Sequence, residues 1–126
     1  MNENELAKLV FECGLQVHKA LGPGLLESSY EECLFYELSK YNVWVEKQKP
    51  LPLIYEEVKL EIGYRVDLLI ENKLIVEVKS VEALNEIHLA QVLTYLKLSN
   101  CKLGLLINFN TTLFKNGVKR IINGYL

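Results

Sequence analysis

The chain has 126 residues, half of them hydrophobic, with a net charge of −2 and a sequence pI of about 5.7. These values predict a single domain, residues 1–126, with a real hydrophobic core, and they argue against a protein that coats nucleic acid by charge alone. The amino terminus has no apolar leader, and no apolar run approaches the roughly 20 residues that span a bilayer, so we expect a cytoplasmic protein without a membrane partner.

Two helices are predicted in the first third of the chain. Apolar residues recur at helical spacing from about Asn4 to Leu21 and again from about Leu25 to Lys40. The segment Gly22–Gly24, Gly-Pro-Gly, separates them, because Gly accepts left-handed geometry and Pro cannot continue a helical ladder. His18, near the end of the first helix, is interpreted as a surface or capping histidine.

The three cysteines, Cys13, Cys33 and Cys101, are far apart in the chain. No two of them form a Cys-x-x-Cys pair, so the sequence predicts neither a zinc site nor a disulfide framework. Cys13 and Cys33 fall on the apolar stripes of the predicted helices and are interpreted as small buried hydrophobes.

Two extended segments follow the helices. Val43–Lys49 alternates apolar and polar residues and predicts a strand, which Pro50 and Pro52 either end or mark as the edge of a sheet. Val58–Ile62 alternates again, and Gly63 directly after it is a candidate for a β-bulge. We therefore predict two separate strands before the central part of the chain.

The central part of the chain predicts two apolar strands joined by a polar turn at Glu71–Lys73. With this turn, Ile70 opposes Leu74, and Asp67 opposes Glu77 on the same face of the hairpin. Two opposed carboxylates have Cβ atoms roughly 4.5–5.5 Å apart and repel each other, so an apolar sheet gains no stability from the pair. A divalent cation would reverse the sign of this interaction.

Lys79 is the next residue on that face, because side chains alternate between the two faces of a strand. It places a fixed positive charge where an anionic substrate can reach it. It could stabilise the attacking water or the charge that develops on phosphorus, and a role in proton transfer is also open. The alternative is structural: Asp67 would belong to an ion-pair network with Arg65 or Lys79, and Lys79 would reach solvent from the strand end.

The last third of the chain predicts one helix and two strands. Asn85 is a candidate cap for a helix that runs to about Leu98. Leu103–Ile107 is fully apolar and predicts a strand buried on both faces, parallel to the strand before the helix. Lys115–Ile122 alternates more weakly and is predicted to be the final strand. The element order α-α-β-β-β-β-α-β-β predicts a mixed sheet covered by helices.

A line of polar side chains follows one face of the later helix, with His88, Gln91 and Tyr95 at positions i, i+3 and i+7. The line predicts either a contribution to a site or an ordinary helix face. The basic residues of the last third also have two interpretations, a phosphate-tracking edge or scattered solvated side chains: Lys97, Lys102, Lys115, Lys119 and Arg120.

Two motifs resemble those of known nucleases. Asp67 followed by Glu77–Lys79 on an antiparallel hairpin resembles the PD-(D/E)XK nuclease superfamily, although Val66 stands where the superfamily's name has a loosely kept proline. Gly24–Tyr30 fits the Gly-x-x-Glu-x-x-Tyr pattern of the GxxExxY proteins, a small bacterial and archaeal family placed in the same superfamily. The likeness extends from about His18 to Asn123.

The resemblance implies a fold and an activity. The implied fold is α/β and restriction-endonuclease-like: a mixed sheet flanked by helices, with an αβββαβ core and an extra N-terminal helix. The implied activity is that of a metal-dependent nuclease, a phosphodiesterase that uses Mg²⁺, or alternatively Mn²⁺, on nucleic acid. DNA is the expected substrate. The alternative is a non-catalytic module with the nuclease fold that acts as a dimeric protein-interaction partner, and a homodimer is among the expected assemblies.

The resemblance also implies roles for individual residues. Asp67, Glu77 and Glu27 become metal ligands, although Glu27 also suits the first turn of a helix, where the macrodipole favours a carboxylate. Gln91 and Tyr95 match the Gln-x-x-x-Tyr feature that supports the active site in several branches. Tyr30 and Tyr95 are the predicted substrate contacts, and Tyr30 has packing with a satisfied hydroxyl as its alternative. The predicted catalytic set is Lys79, Glu77, Asp67, Glu27 and Gln91.

Overall fold

Two helices precede the sheet in the computed structural model, which describes residues 1–126. α1 spans Glu3–Leu21 and α2 spans Glu27–Leu38. The Asn2 side chain caps α1 by accepting a hydrogen bond from the Glu5 backbone N–H, and the Glu5 carboxylate accepts one from the Asn2 N–H. The predicted helix–break–helix order is confirmed, and α2 is shorter than expected at both ends.

The sheet has five strands in the order β1-β2-β3-β4-β5. Only β3 and β4 are parallel, because α3 crosses over between them; all other neighbours are antiparallel. The sheet is therefore mixed, with β3 at its centre, and the predicted restriction-endonuclease-like α/β class is confirmed. The elements are β1 Val45–Tyr55, β2 Val58–Ile70, β3 Leu74–Lys79, α3 Glu86–Ser99, β4 Leu103–Asn108 and β5 Val118–Ile122.

The prediction of six strands was wrong, because β2 is continuous through Gly63. Gly63 has a φ of 88°, and the β1–β2 register shifts between Leu51 and Leu53. This is a bulge, which bends a strand without ending it. β1 continues past Pro50 and Pro52 because it is an edge strand. On the solvent side of an edge strand, the N–H that a proline lacks has no partner strand to bind, so no hydrogen bond of the sheet is lost.

The final strand is also shorter than predicted. A 3₁₀ turn, Phe114–Gly117, precedes β5, which begins only at Val118. The Phe114 ring packs against Phe109 and Phe11, with centroid separations of 5.5 and 5.2 Å. An aromatic anchored in the core therefore takes the place of the first residues of the expected strand.

The hydrophobic core has two layers, one on each face of the sheet. α1 and α2 cover one face, where Val10 and Leu34 pack with Val76. α3 covers the other, where Val92 and Leu96 pack with Ile75 and Leu106. All of β4 is buried, as its apolar sequence predicted. None of the helices is long and apolar enough to cross a membrane.

Four polar or weakly polar side chains belong to this core or its border. Cys13 and Cys101 are buried, Cys33 is half-buried, and all three are free thiols, in line with the interpretation as small hydrophobes. The interpretation of His18 as a surface or capping residue was wrong. His18 is only 8 % exposed, and its Nε2 donates to the Thr111 carbonyl at 2.7 Å, which ties α1 to the loop after β4.

Candidate active site

The hairpin between β2 and β3 has the predicted register. Glu71 and Asn72 both adopt φ of 53°, and the Lys73 N–H donates to the Ile70 carbonyl at 2.9 Å to close the turn. Ile70 pairs with Leu74, and the ladder continues to Leu68 and Val76. Asp67 and Glu77 are the next opposed residues, at the point where backbone pairing between the two strands stops.

The two carboxylates replace the missing backbone bonds of the ladder. The Asp67 N–H donates to Glu77 Oε2 at 2.6 Å, and the Val78 N–H donates to Asp67 Oδ2 at 2.8 Å. Each acidic side chain therefore binds the backbone of the opposite strand. Each hydrogen bond fixes one carboxyl oxygen against the opposite backbone, so both side chains are held in one orientation.

Burial makes this pair electrostatically costly. Glu77 is only 3 % exposed. Desolvation, followed by the nearby charge of Asp67, raises the pKa of Glu77 to about 8, although Lys79 opposes the shift. No salt bridge involves Asp67, Glu77, Arg65 or Lys79. The alternative of a structural ion-pair network around Asp67 is therefore wrong.

A third carboxylate reaches this pair from α2. Gln48 Nε2 donates to Glu31 Oε1 at 2.9 Å and to Asp67 Oδ1 at 3.1 Å, so one amide joins α2 to β2. Desolvation raises the pKa of Glu31 to about 7; the hydrogen bond from Gln48 opposes this shift, and the charge of Asp67 adds to it. The site thus contains three acidic groups in a poorly solvated place.

Lys79 and two residues of α3, Gln91 and Tyr95, lie near the acidic groups. Lys79 Nζ lies 3.4 Å from Gln91 Oε1. The Tyr95 ring meets Tyr64 edge-on, with centroids 6.2 Å apart. Burial raises the pKa of Tyr95, and the charges of Glu77 and Asp67 add to the shift. The structure therefore brings Asp67, Glu77, Lys79, Gln91 and Tyr95 together around one site.

The chain as a whole matches a known family. A family model described as the PD-(D/E)XK nuclease superfamily matches residues 4–121. The chain belongs to the PD-(D/E)XK nuclease superfamily. No match was found among curated proteins or among solved structures. Membership supports a nuclease that acts on nucleic acid, and PD-(D/E)XK nucleases typically use divalent metals.

The carboxylates of this PD-(D/E)XK chain have the right chemistry for a hard cation. Mg²⁺ prefers oxygen ligands, keeps several waters and often takes only one or two protein carboxylates beside substrate phosphates. Asp67 and Glu77 supply two such groups on adjacent strands. No set of three His, Cys, Asp or Glu side chains is arranged closely enough to enclose an ion. The donor set therefore fits a shared protein–substrate metal site better than a closed protein cage.

Glu27 does not join the other carboxylates. It lies exposed in the first turn of α2 and makes neither a hydrogen bond nor a salt bridge. Glu31, one helical turn further on, is the residue that reaches the PD-(D/E)XK site. The spacing of Glu27 and Glu31 predicts this relation, because residues four apart share a helix face. The sequence gives no comparable reason to place Gln48 in the site, because a single polar residue in an edge strand is common.

Tyr30 is a structural residue, and the prediction that it contacts substrate was wrong. The ring is fully buried and stacks on Phe109 with centroids 4.5 Å apart. Its hydroxyl donates to the Gly22 carbonyl at 2.5 Å and accepts from the Leu25 N–H at 3.1 Å. Tyr30 therefore fastens the α1–α2 connection.

We expect Tyr30→Phe to destabilise the protein by about 1–3 kcal/mol, because it removes two hydrogen bonds to the α1–α2 connection, each worth roughly 0.5–1.5 kcal/mol. Cleavage of nucleic acid should not change. Denaturant melting and a cleavage assay on the same preparation measure both quantities. Impaired cleavage at unchanged stability would instead restore the substrate role of Tyr30.

His88 and the basic residues of the last third lie outside the site contacts. His88 caps α3: its Nδ1 accepts from the Asn85 N–H at 3.1 Å, and the Asn85 side chain accepts from the His88 N–H. Arg120 donates to the Asn4 side chain at 2.8 Å. The four lysines are exposed, and both interpretations of them stay open.

Proposed function

We propose that the protein is a metal-dependent nuclease of the GxxExxY branch that hydrolyses phosphodiester bonds, with DNA as the substrate. One observation carries the proposal: in a chain of this superfamily, Asp67 and Glu77 face each other where the ladder opens, and Lys79 follows beside them. Placing a buried carboxyl opposite a second acidic side chain, with no salt bridge to either, opposes folding. Such an arrangement is understandable if it serves a ligand.

The proposed metal is Mg²⁺, with Mn²⁺ as the alternative. Asp67 and Glu77 would hold it, and Glu31 would complete the acidic set instead of Glu27, which makes no contact with them. A bound metal of this kind supplies Lewis acidity and lowers the pKa of a bound water. The carboxylates contribute orientation, because strand N–H groups already fix Asp67 Oδ2 and Glu77 Oε2.

The proposed role of Lys79 is electrostatic. Its ammonium group would stabilise the negative charge that develops on the phosphoryl oxygens during cleavage. Gln91 would be a positioning residue, since its Oε1 accepts from Lys79 Nζ and draws that long side chain toward α3. Tyr95, beside Tyr64, is the proposed substrate contact.

The deciding test is a cleavage assay with Mg²⁺ or Mn²⁺ on DNA and on RNA, with Glu77→Ala as the control. We expect wild type to cleave DNA and Glu77→Ala to be inactive, while a chelator abolishes wild-type cleavage. A thermal melt of both preparations verifies that the variant is folded. Cleavage that survives in folded Glu77→Ala would contradict the assignment of the site.

A matched pair of variants separates the two candidate carboxylates of α2. Glu31→Gln should weaken Mg²⁺ binding and cleavage, whereas Glu27→Gln should leave both near wild type, because only Glu31 is joined to Asp67. Calorimetric titration with Mg²⁺ measures the binding. If Glu27→Gln has the larger effect, then the original prediction of Glu27 as ligand is right.

A non-catalytic homodimeric module is the second candidate, and the outer half of the β1–β2 hairpin supports it. Leu53 pairs with Leu60 and Tyr55 with Val58, so these four side chains share one face of the hairpin. Tyr55 and Val58 are 65 % and 55 % exposed. An apolar face of this kind suits contact with a second copy of the chain. Absence of cleavage under all conditions, together with a dimer in solution, would favour this candidate.

A further inference from the structure

Gln48 has a backbone conformation that side-chain-bearing residues rarely adopt. Its φ is 50°, although it lies inside β1. Lys47 pairs with Leu68 and Lys49 with Val66, but no pairing occurs at Gln48, which opposes Asp67. Unusual backbone conformations that persist tend to occur at functional sites. A functional role for the Gln48 side chain would explain why this conformation persists in β1.

The Gln48 side chain makes hydrogen bonds only with the carboxylates of the site. Both hydrogens of one nitrogen are used, since Nε2 lies 2.9 Å from Glu31 Oε1 and 3.1 Å from Asp67 Oδ1. The Val78 N–H binds Asp67 Oδ2, so Oδ1 is the Asp67 oxygen that no backbone group uses. Gln48 therefore occupies the space between the available oxygens of Glu31 and Asp67.

An amide in this position and a cation would compete. A neutral NH₂ group satisfies the lone pairs of two carboxylates but supplies no charge against their repulsion, whereas a divalent cation supplies both. The Gln48 residue is exposed, so its flexible side chain has solvent into which it can turn. A cation can therefore displace the Gln48 amide by a rotation of that side chain, without rearrangement of buried groups.

We propose that Gln48 is a placeholder for the metal: its amide holds Glu31 and Asp67 in position and leaves when the cation binds. This proposal rests on the proposed function, since it requires a metal between these carboxylates. Gln48 is a positioning residue and takes no part in the chemistry. Its removal should make metal binding tighter and the protein without metal less stable.

The test compares Gln48→Met with Gln16→Met by Mg²⁺ titration calorimetry, at a pH above the pKa values of Glu31 and Glu77. Met keeps the length of the side chain and the same backbone requirement at φ, and Gln16 is an exposed glutamine on α1 without a side-chain hydrogen bond. We expect Gln48→Met to bind Mg²⁺ about tenfold tighter than wild type, since binding no longer breaks two hydrogen bonds. After treatment with a chelator, it should also melt below Gln16→Met.

The possible outcomes distinguish failure of the placeholder proposal from failure of the proposed nuclease function. If wild type binds Mg²⁺ and Gln48→Met binds it equally or more weakly, the placeholder is overturned and the proposed function stands. If wild type binds no divalent metal in this titration, the placeholder is overturned, and the cleavage assay with Glu77→Ala decides the proposed function separately. A second measurement uses NMR of the wild-type protein. The Gln48 side-chain NH₂ signals, which are assigned by their absence from the Gln48→Met spectrum, should move on addition of Mg²⁺. Signals that do not move at saturation would overturn the placeholder.

Discussion

Lys79→Met is expected to slow metal-dependent cleavage by on the order of 10²–10³ while substrate affinity stays nearly unchanged. The ammonium group acts on charge that develops only in the transition state, so its loss lowers turnover rather than binding. Met keeps much of the aliphatic stem. Lys79 Nζ makes one 3.4 Å contact, with Gln91, and no salt bridge, so the fold should tolerate the change.

Cleavage rate, substrate affinity and melting temperature of wild type and Lys79→Met check this expectation, and Lys73→Met in the hairpin turn is a matched control. Equal cleavage rates for wild type and Lys79→Met would show that Lys79 has no catalytic role, even with the nuclease function intact. A lower melting temperature with no activity in either protein would identify Lys79 as a counter-ion of the buried carboxylates.

The stability of the metal-free protein should fall as the pH rises from about 5 to about 8. Burial raises the pKa of Glu77 from 4.5 to about 8, so the folded state retains a proton that the unfolded state has already released. The stabilisation is complete below the unfolded pKa and is lost as the pH rises through the folded value. A shift of this size corresponds to a few kcal/mol, on the order of 1.4 kcal/mol per pH unit.

Glu77→Gln should remove most of this pH dependence. The amide is neutral at every pH, and its oxygen can still accept from the Asp67 N–H. Thermal melts in chelator should therefore converge for the two proteins near pH 5 and separate near pH 8, where the variant is more stable. A smaller slope remains in the variant because the pKa of Glu31 is also raised, to about 7. Parallel profiles for wild type and variant would refute the raised pKa of Glu77 in the folded protein.

Local chemistry made much of the fold predictable. Asn85 caps α3 as expected, because its side chain accepts a hydrogen bond from the His88 N–H. The three-residue turn set the hairpin register, because a slip of one residue would have moved every apolar side chain to the wrong face. That register was enough to predict that Asp67 and Glu77 face each other.

The errors concern long-range packing, which local patterns do not record. A glycine at a bulge and a glycine at a strand end cannot be distinguished in the sequence. Only the pairing of β1 with β2 on both sides of the bulge shows that β2 is continuous at Gly63. Glu27 and Glu31 share a helix face. Which of the two lies near Asp67 depends on the position of α2 along the sheet, and the sequence does not give that position. The packing alternative for Tyr30 could not be chosen from the sequence, because its stacking partner, Phe109, is distant along the chain.

The two edges of the sheet determine how the protein behaves at high concentration. β1 lacks two N–H donors at Pro50 and Pro52, and its backbone turns left-handed at Gln48. At the other edge, β5 has only five residues and includes two exposed cations, Lys119 and Arg120. Short, charged or proline-containing edges resist the addition of further strands. We therefore expect concentrated solutions to remain free of sheet-extended polymers and fibrils.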